Sequence, residues 1–243
     1  MKIVILASGR GTDFQAISDH VKLGILRNVS IAGLITNHEC ALVMKRASET
    51  GVPQVFVQGV SGLHFSDVQS KEAARKEFDN RCVIEIKKLG ADIVVLAGFD
   101  QIVSPTFVDA FRFKILNIHP AYDLSRFGGK NMVGIKVHEQ VLKAGVSYSG
   151  CTIHFVTNDL DGGPVLLKKS VHVDQCETPA SLEAKILQLE HLAYPEAIQL
   201  VADGRVKIDE SGRRCYIDQF SDGWDIEWDM RQMKYIEKLS KES

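Results

Sequence analysis

The sequence predicts an α/β protein, a mostly parallel twisted sheet with helices on both faces and a C-terminal extension. Two features carry that expectation. The first two-thirds of the chain alternate short β-rich runs with helical stretches, the order that builds a parallel sheet through crossover helices. The run at 91–99 is continuously apolar, as a strand covered on both faces must be.

KIVILAS (2–8) is the first apolar strand, and Gly9-Arg10-Gly11-Thr12-Asp13 joins it to a helix-like run from Phe14. The second strand is VSIAGLITN (29–37), followed by the helix CALVMKRASETG, which Gly51 closes. VPQVFV (52–57) is the third strand. A long amphipathic helix covers 70–89, where Phe78, Cys82 and Ile86 recur at i, i+4 and i+8 among charged residues. ADIVVLAGF (91–99) and FKILNIHP (113–120) are the fourth and fifth strands. Beyond Pro120 the segment 121–134 has no periodicity and three glycines, which makes it a loop. A helix over 133–145 precedes strands at 147–157 and 164–173, joined by the polar turn NDLDGG (158–163); periodicity leaves their direction open. Thr178 opens a long helix that stops at Gly204, with a kink expected at Pro195. VKI (206–208) and CYI (215–217) suggest a hairpin. Residues 1–217 therefore form the main domain, and 218–243 a separate tail with a short helix from about Glu227. Trp224, Trp228, Met230 and Met233 give that tail apolar anchors, for a strap on its own domain or a contact with a second subunit.

Composition narrows the classes. Hydrophobic residues at 45% and charged residues at 25% exclude disordered and coiled-coil chains. A formal net charge of -2 gives no reason to expect nucleic acid as partner. No stretch approaches the roughly 18 apolar residues of a membrane span, and the N-terminal apolar run is too short for a signal peptide. The five cysteines are scattered, without a C-x-x-C pair, which reads as reduced thiols in the cytoplasm. No His/Cys spacing suits a metal, so none is expected.

In open parallel sheets, ligands bind beyond the carboxyl ends of the strands. Three segments stand there. The Gly9–Asp13 turn offers close backbone approach and a helix N-terminus suited to an anion, although a tight turn capped by Thr12 or Asp13 explains it equally. Asn117 and His119 alternate onto one side of the fifth strand, joining an amide donor for an oxyanion to a proton carrier. The plain alternative is a structural Asn–His pair. Asp161, in the Asp161-Gly162-Gly163-Pro164 turn, offers a carboxylate to orient His119, although D-G is also a common turn pair. His154, within TIHF, reads first as a structural strand histidine.

Taken together, LASGRGTDFQAI, VVLAGFDQIVSPTFV, ILNIHP, TIHFVTNDLDGGPVLL and LEHLAYPEAIQLVADGR resemble the glycinamide ribonucleotide formyltransferase family, in that family's order and over residues 1 to about 210. The resemblance implies a Rossmann-like formyltransferase-type fold and transfer of a formyl group from 10-formyltetrahydrofolate to an amine, in purine biosynthesis. It implies Asn117, His119 and Asp161 as the catalytic triad, with Asp161 raising the His119 pKa. It places the acceptor's phosphate on Gly11, Thr12 and Asp13 and its sugar on Glu190. The folate would meet Phe99, Asp100, Gln101, Ile102 and Val103, together with His154 and Asp159. The expected partners are folate and a phosphorylated small-molecule amine, with no nucleic acid and no membrane, in a monomer or homodimer.

Three departures keep other readings open. Asp13 stands where the family usually has Asn, Asp100-Gln101 where it has Met-Arg, and 121–134 is longer and lacks the family's prolines. The rivals are a related transferase or hydrolase acting on an amino-sugar nucleotide or water, and an inactive folate-binding relative.

Overall fold

The structure, a computed structural model, describes residues 1–60, 63–218 and 224–242. In chain order it runs β1 (Lys2–Leu6), α1 (Thr12–Lys22), β2 (Ser30–Thr36), α2 (Leu42–Thr50), β3 (Gln54–Phe56), α3 (Val68–Leu89), β4 (Ile93–Leu96), α4 (Pro105–Ala110) and β5 (Ile115–His119). It continues with α5 (Leu124–Phe127), α6 (Ile135–Lys143), β6 (Tyr148–Phe155), β7 (Val165–His172), α7 (Pro179–Ala202), β8 (Val206–Ile208), β9 (Cys215–Ile217) and α8 (Trp224–Glu242).

Seven strands form one sheet in the order β3-β2-β1-β4-β5-β6-β7. The first five are mutually parallel, whereas β6 runs antiparallel to β5 and β7 antiparallel to β6. That resolves the direction the turn at 158–163 left open. Because β1 lies between β2 and β4, the chain reverses its progress across the sheet there, and a crevice opens beyond the carboxyl ends of β1 and β4.

Both faces of the sheet are covered, which explains the unbroken apolar runs. Ile3 and Ile5 of β1 and Val95 of β4 belong to one core, with Phe14 and Ile17 of α1 and Ile186 of α7. Their neighbours Val4, Leu6, Val94 and Leu96 belong to the other, with Phe78, Cys82 and Ile86 of α3 and Phe107 of α4. Period-two alternation thus feeds two cores at once. The Tyr194 hydroxyl, from α7, lies 2.8 and 3.0 Å from the carbonyls of Leu96 and Leu116, tying the helix to the two central strands.

Helix ends follow the sequence signals. Gly51 ends α2 at φ 72°, and Thr178 and Ser181 form a capping box at the start of α7. Neither Thr12 nor Asp13 caps α1. Its N-cap is Gly11 at φ 69°, with no side-chain hydrogen bond among the described residues. A side chain at Gly11 would put its Cβ 2.4 Å from the Val43 Cγ2, so only glycine passes α2 this closely.

Other expectations need correction. The chain forms α4 where no helix was expected, too short to show periodicity. The expected loop 121–134 contains the single turn α5, which Asp123 caps through the Ser125 amide. The tail helix starts at Trp224 and spans 19 residues, longer than expected; residues 219–223 of the expected tail lie outside the described residues. It is a strap. Trp228 and Tyr235 are buried in the first core, Arg231 donates to the Ile25 carbonyl at 2.9 Å, and Gln232 donates to the Leu192 carbonyl at 3.1 Å. Lys238 pairs with Asp19 of α1.

Candidate active site

Register between β5 and β6 assembles the first cluster. Asn117 pairs across the ladder with His154, and His119 with Thr152. The Asn117 Nδ2 lies 3.2 Å from the His154 Nε2, and the His154 Nδ1 lies 3.1 Å from the Phe155 carbonyl. The turn after β6 returns Asp161, in the left-handed region at φ 53°, to the same place. Its Oδ2 is 3.7 Å from the His119 Nδ1 and its Oδ1 3.6 Å from the His154 Nε2. The three side chains expected to meet, Asn117, His119 and Asp161, therefore converge, and His154, buried and bonded as a structural strand histidine would be, lies among them.

The segment after β5 closes over this cluster. The His119 Nε2 donates to the Phe127 carbonyl at 2.7 Å, and the Gly129 amide donates to the Asp161 Oδ2 at 2.8 Å. A carbonyl only accepts, so Nε2 carries a proton and Nδ1 faces the carboxylate.

Burial sets the electrostatics. It pushes the His119 pKa below the ordinary histidine value, while Asp161 and the Phe127 carbonyl pull it upward less strongly. Asp161 thus acts in the expected upward direction, but the desolvation of a ring buried under α5 outweighs one carboxylate. Burial is also the largest influence on Asp161 and would raise it. The His154 and Gly129 hydrogen bonds and the His119 charge together overcome that and hold its carboxyl below the usual carboxylate range.

A second group lines a cleft of about 280 Å³ at the crevice: Gly11, Thr12, Asp13 and Glu190, with Gly98 after β4 and Pro120 after β5. Asp13 and Glu190 are both buried. Burial lifts the Asp13 pKa to about 7 against the pull of Arg10, and burial and then the Asp13 charge lift Glu190 well above its usual value. Arg10 does not turn inward; it meets Glu183 at the rim, 2.7 Å away.

The segment expected to face folate is divided. Phe99 stacks on Phe78 at 6.2 Å beside the second core, and Val103 packs against that core. The Asp100 carboxylate turns to the ends of β1 and β2, accepting from Ser8, Asn37 and His38 at 3.0, 2.6 and 2.7 Å. Gln101 leans on the chain at Gly59 and Val60. Ile102 is exposed, and Asp159 sits in the exposed part of the 158–163 turn. None of these side chains lines the 280 Å³ cleft.

The sequence reading overlooked Glu183 and gave His138 no role. Glu183, Ile186, Leu187 and Glu190 all line the cleft, and their i, i+3, i+4, i+7 spacing marks one face of α7, a signal present in the sequence. His138 of α6 is 1% exposed, lines the same cleft, and its Nδ1 has no partner among the described residues.

Comparison with known proteins agrees with this architecture. Residues 1–198 match the formyl transferase family. The phosphoribosylglycinamide formyltransferase of Escherichia coli K12 is 35% identical over 87% of this chain and 92% of its own. The human trifunctional purine biosynthetic protein adenosine-3 is 33% identical over 89% of this chain, which spans only 20% of that much longer protein. The crystal structure of glycinamide ribonucleotide transformylase 1 from Symbiobacterium toebii superposes with a TM-score of 0.78 at 34% identity, covering 90% of this chain and 94% of that one. By sequence pattern, fold and these matches, the chain belongs to the formyl transferase family.

Proposed function

We propose that this protein transfers the formyl group of 10-formyltetrahydrofolate to the primary amine of glycinamide ribonucleotide, a step of purine biosynthesis. The observation that carries the reading is the convergence of Asn117, His119, His154 and Asp161 beside the cleft at the ends of β1, β4 and β5. The names of the similar proteins from Escherichia coli and Symbiobacterium toebii support the same acceptor.

The chemistry balances with protein groups alone. The amine nitrogen attacks the formyl carbon, forming a C–N bond and an oxyanion. An N–H of Asn117 and the protonated ring of His119 stabilise that charge. Collapse breaks the bond to N10 of the folate, which takes the proton of the His119 ring, and the proton lost by the amine then restores that ring. Asp161 holds the ring and favours its charged form. His119 reaches substrate through Nε2 once the Phe127 carbonyl gives way. Gly11, Thr12 and Asp13 receive the phosphate, and Glu190 the sugar hydroxyls. Backbone groups of the segment Phe99, Asp100, Gln101, Ile102 and Val103, with His154 and Asp159, border the folate.

The test is a purified-protein assay with 10-formyltetrahydrofolate and glycinamide ribonucleotide, run beside an amino-sugar nucleotide and beside water alone. Formylated glycinamide ribonucleotide should form in step with loss of the donor. Turnover on the sugar or on water, with none on the ribonucleotide, rejects the acceptor assignment. Inertness with every acceptor rejects the enzyme.

A further inference from the structure

The N-terminal turn of α1 has the ordinary attractions for an anion: backbone N–H groups that no side chain among the described residues caps, and the positive end of a helix dipole. Asp13 opposes them. An ionised carboxylate 4 Å from one phosphate charge costs about 4 kcal/mol at an effective dielectric of 20. Two arrangements would relieve the conflict, and the structure has neither. Asp13 does not turn away as a cap, and Arg10 does not swing in to neutralise it, because that guanidinium is spent on Glu183 at the rim.

The Asp13 side chain is instead buried against the cleft, and its Oδ1 lacks a hydrogen-bond partner among the described residues. The His191 Nε2 of α7 is 3.9 Å away, beyond bonding distance. The other groups facing Asp13 are Glu190 and Tyr194 of α7, Cys151 of β6, and Arg10 on its own turn. Among these described residues Arg10 is the one fixed cation, and Glu190 adds a second carboxyl. His138 lines the same cleft, and its buried Nδ1 lacks a hydrogen-bond partner among the described residues.

We infer that Asp13 couples acceptor recognition to a proton, so that the phosphate of the acceptor seats on the α1 turn only while the Asp13 carboxyl is neutral. This rests on the proposed function and deepens it. A neutral carboxyl removes the repulsion and donates its O–H to a phosphate oxygen that the ionised group would repel. Burial already places the Asp13 proton loss at about pH 7, so the coupling operates within the working range of the cell. The sign is opposite to that of a site built on lysine or arginine alone, which would favour the more highly charged phosphate as pH rises through roughly 6.

Steady-state kinetics with glycinamide ribonucleotide from pH 6.5 to 8.5 tests this in wild type and in Asp13→Asn. In wild type KM should rise about tenfold per pH unit above 7, while kcat follows the titration of His119 alike in both proteins, so that the KM slope is the readout for Asp13. Asp13→Asn should hold KM nearly flat, and the dephosphorylated riboside should show no such slope in either protein. Superimposable KM profiles in wild type and Asp13→Asn overturn the inference, as does a riboside that shares the wild-type slope. Calorimetric binding of ribose 5-phosphate at pH 6.5 and 8.5 separates this from the reading of the reaction. If the probe weakens at the higher pH only in wild type while the ribonucleotide is never formylated, the acceptor assignment falls and the role of Asp13 stands. Equal binding by both proteins at both values sinks that role whatever the reaction.

Discussion

The imidazole of His119 is held between the Phe127 carbonyl, 2.7 Å from Nε2, and the Asp161 carboxylate, 3.7 Å from Nδ1. An acceptor at each end of one ring stabilises the doubly protonated form, and deep burial resists it. The proton affinity of His119 is the balance of these influences, so removing either acceptor shifts it in a known direction.

Asp161→Asn removes the carboxylate that pulls the His119 pKa upward. The ring should then titrate lower than in wild type, read from its proton resonances across the acid range. The rate should fall about 10²- to 10⁴-fold if protonated His119 carries the transfer. An unshifted ring resonance would show that Asp161 does not govern it.

Asn117→Ala separates chemistry from architecture. Asn117 is partly exposed in the middle of β5, and its side-chain amide lies 3.2 Å from the His154 ring. Loss of one such bond costs about 1 kcal/mol of stability. Loss of an oxyanion donor costs about 10²- to 10³-fold in kcat. Thermal unfolding should therefore change little while kcat collapses. A variant that keeps its rate removes Asn117 from the mechanism.

Asp13→Asn also predicts a pH-dependent gain in stability. The unfolded chain releases this proton near 3.8 and the native protein near 7, so between those values the native state holds more protons and raising the pH costs stability. The stability difference in favour of the Asn variant should widen from pH 4 to pH 7 and level off above, by on the order of 2–4 kcal/mol. Urea denaturation at a series of pH values measures it. A difference that does not widen would mean that burial does not raise Asp13.

Trp228→Ala tests the strap. Trp228 is 2% exposed and stacks on Trp224 at 5.5 Å, and its loss should cost about 3–5 kcal/mol. Removing the chain after Asp218 would uncover the same apolar surface of α1 and α7, and the shortened protein should denature earlier and associate in sedimentation runs. A shortened protein as stable and as dispersed as the full chain would mean that α8 contributes nothing to the fold.

Much of this molecule was legible from local pattern. The unbroken apolar runs of β1 and β4 report strands buried on both faces, and Gly51 and Thr178 mark helix ends, because periodicity and end geometry are set by neighbours within a turn or two. The meeting of Asn117, His119 and Asp161 followed from the motifs and from the family resemblance, since alternation on β5 and a D-G turn leave few other places for them. Tertiary packing decided the rest. No local signal says that β6 returns antiparallel, that Arg10 bonds Glu183 at the rim, that Asp100 turns to His38, or that α8 lies across α1. Each of these depends on which buried group finds a partner far along the chain, and the desolvation that drives the choice exists only once the chain has closed around it.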